Sequence, residues 1–92
     1  MNTHELSLIV LREDKQHDHN GRVAFIAGKK LGNAVWRNKA KRRMREVCRD
    51  VGGPFPGFDV AFVAKKDINR CPYDKLRNDL EAKLKKIGLL ET

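Results

Sequence analysis

The sequence predicts an α+β fold in the order β-β-α-β-α, a small sheet with two helices packed against it. Three observations carry this. Residues 6–11 (LSLIVL), 22–29 (RVAFIAGK) and 58–64 (FDVAFVA) are short, dense apolar runs flanked by polar or Gly/Pro-containing stretches, the signature of strands. Two longer segments, residues 34–51 and 73–87, space their apolar residues three and four apart, as helices do. Ninety-two residues with 40 % hydrophobic content supply one modest core, so residues 1–92 form a single domain.

The first strand, residues 6–11, is too short for a typical helix. Residues 12–21 (REDKQHDHNG) are polar and end in Asn-Gly, which predicts a connection between antiparallel strands. In the second strand Val23, Phe25 and Ala27 share one face, and Ala24, Ile26 and Gly28 the other. Gly32-Asn33 ends that strand, and Asn33 can cap the following helix. Trp36, Ala40, Met44 and Val47 form the helix's apolar stripe, with Arg37, Lys41 and Arg45 beside it and Asn38, Arg42 and Arg49 extending the polar face. Gly52-Gly53-Pro54 stops this helix. The third strand places Phe58, Val60 and Phe62 on one side. Pro72 suits the opening of the last helix, whose stripe is Tyr73, Leu76, Leu80, Leu84 and Ile87. Its Asp74, Lys75, Arg77, Glu81 and Lys83 read as a solvated, mixed-charge face.

Composition narrows the function classes. Twenty Lys+Arg against twelve Asp+Glu leave a net charge of +8, which points to nucleic acid, then to an anionic membrane, then to an acidic protein. No run of 18 apolar residues occurs, and the N-terminus lacks the basic and apolar regions of a secretory signal. Cys48 and Cys71 stand apart, without the pairing of a zinc or dithiol motif, and read as reduced thiols of a cytosolic protein. His17 and His19 share a polar loop with Glu13, Asp14 and Asp18, but nothing there fixes a metal geometry, so no metal site is assigned. No nucleophile elbow, Walker loop or H-E-x-x-H is present, and no catalytic side chain is expected.

One segment stands out. Residues 28–45 read GKKLGNAVWRNKAKRRMR, and Glu46 is the lone acid between Asn33 and Arg49. A solvated helix usually mixes acids with bases at i,i+4, whereas this face is nearly pure cation and needs an external anion. The interleaved apolar stripe argues against a disordered tail. Arginine forks suit phosphates, and the Gly-flanked turn lets backbone approach one beside a helix N-terminus. A basic helix can enter a B-form groove. However, Asn38 is the only amide amid the cations, which favours recognition of backbone and shape, as in structured RNA. A DNA-binding helix and a module for an acidic partner stay open on the residues alone.

At these residues the chain resembles the protein subunit of bacterial ribonuclease P. The family's RNR motif, K-K-x-G-N-A-V-x-R-N-x-x-K-R-x-x-R, stands complete from Lys29 to Arg45, and the order of flanking elements agrees over roughly residues 6–90. The resemblance implies an α/β sandwich in which the motif helix joins two parallel strands by a left-handed crossover. It implies a ribonucleoprotein whose RNA subunit, with bound Mg²⁺, removes the 5′ leader of precursor tRNA in the cytoplasm, one protein per RNA. It places Arg37, Asn38, Lys41, Arg42 and Arg45 on the catalytic RNA, and Lys29 and Lys30 near the junction of RNA, leader and metal ions. Ile9, Leu11, Ile26 and Gly28 become part of a leader cleft. Family members usually begin with a basic N-terminal helix lining that cleft. This chain starts almost directly in its first strand, and Leu11 stands where relatives can present an aromatic, so weaker leader binding is expected. The alternative reading is a non-catalytic module for structured RNA, in the manner of a ribosomal protein.

Overall fold

The computed structural model describes residues 5–13, 21–55 and 57–89. The elements are β1 (Leu6–Glu13), β2 (Arg22–Ile26), a short 3-10 turn (Lys29–Leu31), α1 (Ala34–Asp50), β3 (Phe58–Ala64) and α2 (Tyr73–Lys86). The predicted order is therefore the observed one. The histidine-bearing loop, with His17, Asp18, His19 and Asn20, lies outside the described residues.

The sheet order is β1-β3-β2. β3 runs antiparallel to β1 and parallel to β2, and α1 makes the connection between the parallel pair. β1 and β2 thus run antiparallel to each other, as the connection over residues 12–21 predicts, but they are not neighbours: β3 sits between them. A central strand has a neighbour along each edge, and in β3 Val60, Ala61, Phe62 and Ala64 are all buried. The connection must therefore cross two strand spacings, about 10 Å, which a two-residue hairpin turn does not span.

β1 also outruns its apolar stretch. A bulge between Val10 and Arg12 resets the register, after which Arg12 and Glu13 pair with Asp59 and Phe58. β2, by contrast, ends at Ile26, before the Gly28 turn.

One face of the sheet carries the core. Leu6, Leu8, Val60 and Phe62 meet Ala40, Met44, Val47 and Cys48 of α1 and Leu76, Leu80 and Leu84 of α2. Phe25 stands edge-on to Phe62, centroids 5.6 Å apart. Trp36 is only partly buried, at the end of its stripe.

Both helices end the same way. After α1, Gly52 (φ 102°) turns the chain, with Gly53 N–H donating to the Cys48 carbonyl and Gly52 N–H to that of Arg49. After α2, Gly88 (φ 87°) does the same, with Leu89 N–H donating to Leu84 and Gly88 N–H to Lys85. These are paired Schellman closures, in which a left-handed residue is cheapest as glycine. The second brings Leu89 against the core and leaves Ile87 40 % exposed, so the stripe predicted to end at Ile87 ends at Leu84.

Lys83 departs further from its predicted solvated face, being only 3 % exposed. Its Nζ donates to the Leu6 carbonyl at 3.1 Å, and burial lowers its pKa against the opposing pull of Glu5 and Asp79. Glu5 is buried as well, with Lys75 Nζ and Cys71 Sγ each 3.8 Å from its Oε1. Burial, then Glu5, raises the Asp79 carboxyl. Lys83 lies one position before Leu84, so its long stem runs along the apolar seam while its ammonium finds partners at the start of β1. Sequence spacing carries no sign of those partners, because Glu5 and Leu6 are far away in the chain.

Candidate nucleic-acid interface

The interface begins with a cap. Asn33 Oδ1 accepts from the Trp36 N–H at 2.9 Å, which starts α1. Gly32 packs beneath Trp36: a Cβ there would stand 2.7 Å from the ring's Cγ. The Trp side of α1 is thereby held inward, and the polar side faces out. Asn38, Lys41, Arg42 and Arg45, with Val35 and Lys39, line one shallow groove of about 500 Å³. Four predicted RNA-contacting residues thus share a surface that, among the described residues, has no carboxylate in its lining. Cations crowded this way raise the local potential and attract a polyanion.

The other predicted residues sit around that groove. Lys29 and Lys30 are exposed on the 3-10 turn just before α1. Arg37 is half-buried, its Nε without a hydrogen-bond partner among the described residues, and it does not line the groove. The Arg45 guanidinium carbon stands 6.0 Å from the Phe25 ring centroid, a cation–π distance that ties the outer helix face to β2.

Arg43 belongs to the same basic run and has a different task. Its Nη2 donates to the Cys71 carbonyl. Asn69 Nδ2 donates to the Trp36 carbonyl at 3.0 Å. The segment between β3 and α2 is therefore strapped to α1 at two points about two turns apart, fixing the helix's rotation. The sequence held a signal for Arg43: it lies three residues after Ala40 and four before Val47, inside the apolar stripe. Asn69 had none.

The sheet face away from the helices carries the second predicted surface. Ile9 on β1 and Ile26 on β2 are each 46 % exposed. By register they flank β3, where Ile9 and Ala24 pair with Ala61, and Ile26 with Val63. Ala24, Ala61 and Val63 thus complete a floor of which the predicted set held only the rims; two-residue alternation along β3 was the available signal. Leu11, 62 % exposed in the bulge, and Gly28 lie toward opposite ends of this face. Nothing lies within 4 Å of where a Cβ on Gly28 would stand, so the fold itself leaves that backbone open.

The thiols are withdrawn from chemistry. Burial pushes Cys48 up to about 11, and burial together with Glu5 raises Cys71. Among the described residues no three His, Cys, Asp or Glu converge as a metal set, and no helix is long and apolar enough to cross a membrane.

The ribonuclease P family model matches residues 1–88. Similar curated proteins include ribonuclease P protein components from Paramagnetospirillum magneticum (41 % identity, 76 % of this chain, 54 % of the relative) and Ruegeria pomeroyi (44 %, 72 % and 55 %). One from Streptococcus pyogenes is 35 % identical over 90 % of this chain and 69 % of its own length. The chain thus spans about half the length of the first two. Among solved structures, the RNase P protein of Staphylococcus aureus superposes with a TM-score of 0.74 at 25 % identity, covering 97 % of this chain and 80 % of the other. That of Thermotoga maritima, in complex with 1-(4-fluorophenyl)-2-thiourea, gives 0.72 at 27 % identity, covering 92 % and 81 %. With a family match along nearly all its length and the same arrangement of strands and helices, the chain belongs to the ribonuclease P protein family.

Proposed function

We propose that the chain is the protein partner of a bacterial ribonuclease P ribonucleoprotein in the cytoplasm, one copy per RNA. It binds the catalytic RNA and the 5′ leader of precursor tRNA and assists endonucleolytic removal of the leader. The RNA subunit performs the phosphodiester hydrolysis, so no protein side chain is catalytic. One observation carries this reading: Asn38, Lys41, Arg42 and Arg45 line a single groove on the outer side of a helix whose inner side is core. Lys29, Lys30 and Arg37 extend the cationic surface around it. Ile9, Ile26, Leu11 and the bare Gly28 backbone form an apolar track for the leader, whose bases can lie against aliphatic side chains while phosphates face the lysines.

Mg²⁺ takes oxygen ligands and gives up its waters reluctantly. Among the described residues lining the basic groove, Asn38 carries the side-chain oxygen, an amide that suits a water-mediated contact to an ion held by RNA phosphates. The ion, when bound, supplies charge neutralisation and an activated water at the scissile phosphate.

The test is single-turnover cleavage of a precursor tRNA by a bacterial ribonuclease P RNA at low Mg²⁺, with and without the chain. Strong stimulation, lost in the Arg42→Ala/Arg45→Ala double variant, is the expected result. Tight, salt-sensitive binding of structured RNA without stimulation would replace this reading with the structured-RNA module. Absence of both would remove RNA as the partner.

A further inference from the structure

Beside the basic groove lies a second hollow that the family resemblance does not assign. It runs between β2 and the C-terminal half of α1 and has a volume of about 560 Å³, within the range of small-molecule sites. Val23, Phe25, Cys48 and Pro54 give it an apolar lining, and among the described residues Arg45 and Arg49 are the charged ones that line it. Two glycines on its border are required by close packing. A Cβ on Gly21 would stand 2.0 Å from the Phe55 carbonyl oxygen, and one on Gly53 2.4 Å from Cys48 Sγ, so no side chain fits at either place. The Cys48 thiol stays neutral well past physiological pH, which keeps the floor uncharged.

This hollow is not isolated. Arg45 lines both it and the basic groove, so the two surfaces meet at one guanidinium. That guanidinium stands over the Phe25 ring. An aromatic ring, an arginine plane above it and a second arginine at the rim match the two halves of a nucleotide: a flat base that stacks, and a phosphate that needs a cation. A continuous duplex could not use the hollow, because its bases are already stacked on one another.

We propose that this hollow receives one unpaired nucleotide of the RNA bound on α1. The base lies against Val23 and Phe25 beside the Arg45 guanidinium, and Arg49 takes the adjoining phosphate. The inference rests on the RNA-binding reading above and extends the interface from the helix to the edge of β2.

Two measurements on the full chain test it. In the first, backbone amide shifts are followed during titration with 5′-AMP and, separately, with ribose 5-phosphate. The expected result is that AMP moves the Val23, Phe25, Cys48 and Gly53 amides, while ribose 5-phosphate leaves Val23 and Phe25 unmoved. Identical patterns from the two ligands, or no response at these four amides, would overturn the proposal. In the second, ribonuclease P RNA is titrated against Phe25→Leu and Arg49→Ala across salt concentrations. Phe25→Leu is expected to weaken binding at least about fivefold with an unchanged salt slope, as loss of one stacked base does. Arg49→Ala is expected to reduce the slope by about one phosphate contact. Parental affinity and slope in both variants would sink the nucleotide pocket and leave RNA binding on α1 standing. Failure of the parent chain to bind RNA at all would sink both. If Phe25→Leu does not fold, by its thermal melt, the AMP titration still decides.

Discussion

Arg42 is exposed in the basic groove, while its neighbour Arg43 donates to the Cys71 carbonyl behind the helix. Their substitutions should therefore separate. Arg42→Ala or Arg45→Ala is expected to lower RNA affinity and reduce the log–log salt slope by roughly 0.7–0.9 each. Arg43→Ala is expected to leave the slope alone and lower the urea midpoint, because it removes a strap and not a phosphate contact. Salt-dependent titration beside urea denaturation distinguishes them, and a reduced slope for Arg43→Ala would place it in the interface. Charge alone made the two arginines look equivalent; position within the apolar stripe separates them. Trp36 follows the same logic. Its ring is only partly buried, so Trp36→Ala should cost less than the roughly 3–5 kcal/mol of a fully buried aromatic. Met44→Ala, at a site with no exposure, should cost about 2–5 kcal/mol.

At the level of elements, α1 depends on its start. Asn33→Ala removes the cap on the Trp36 N–H and should cost about 1 kcal/mol. Gly32→Ala meets the base of the Trp36 side chain, at 2.7 Å from Cγ and 2.8 Å from Cβ, which cannot swing aside as the tip of a long side chain would. A loss of about 1–3 kcal/mol is expected, read from urea midpoints. Because the same two residues orient the basic face, both variants should also weaken RNA binding without changing the salt slope. The caps and the helix bounds were legible because they are local: one residue bonds another three or four away. The strand ends were less so. β1 reaches Glu13 and β2 stops at Ile26 for reasons that lie in their common neighbour β3, far along the chain.

For the whole molecule, burial of ionisable groups makes stability depend on alkaline pH. The unfolded Cys48 thiol ionises near its ordinary 9.0, but the folded one only near about 11. Between these values the fold keeps a proton that the unfolded chain has released. The stability from the neutral thiol is thus complete below pH 9.0 and declines as pH rises toward 11. Tyr73, raised by burial and by donating to Asp50, adds a decline from 10.0 toward about 12. Lys83, lowered from 10.5, acts in the opposite sense, since its folded form gives up the proton first. Urea midpoints followed from about pH 8 upward should fall less steeply in Cys48→Ala than in the parent. Equal slopes would mean the thiol is not held neutral by the fold.

Local sequence was enough for the element order, the apolar and polar faces of α1 and the cationic groove, because periodicity, caps and charge sign act over a few residues. It also carried the family motif from Lys29 to Arg45. The assembled fold was needed to show that β3 lies between β1 and β2, that Lys83 is buried against Glu5 and Leu6, that Asn69 straps the Trp36 carbonyl, and that Phe25 and Arg45 border a hollow. Each of these joins residues distant in sequence. Such pairings are selected by which apolar surfaces must be covered and which buried polar groups must find partners, and both are properties of the assembled core.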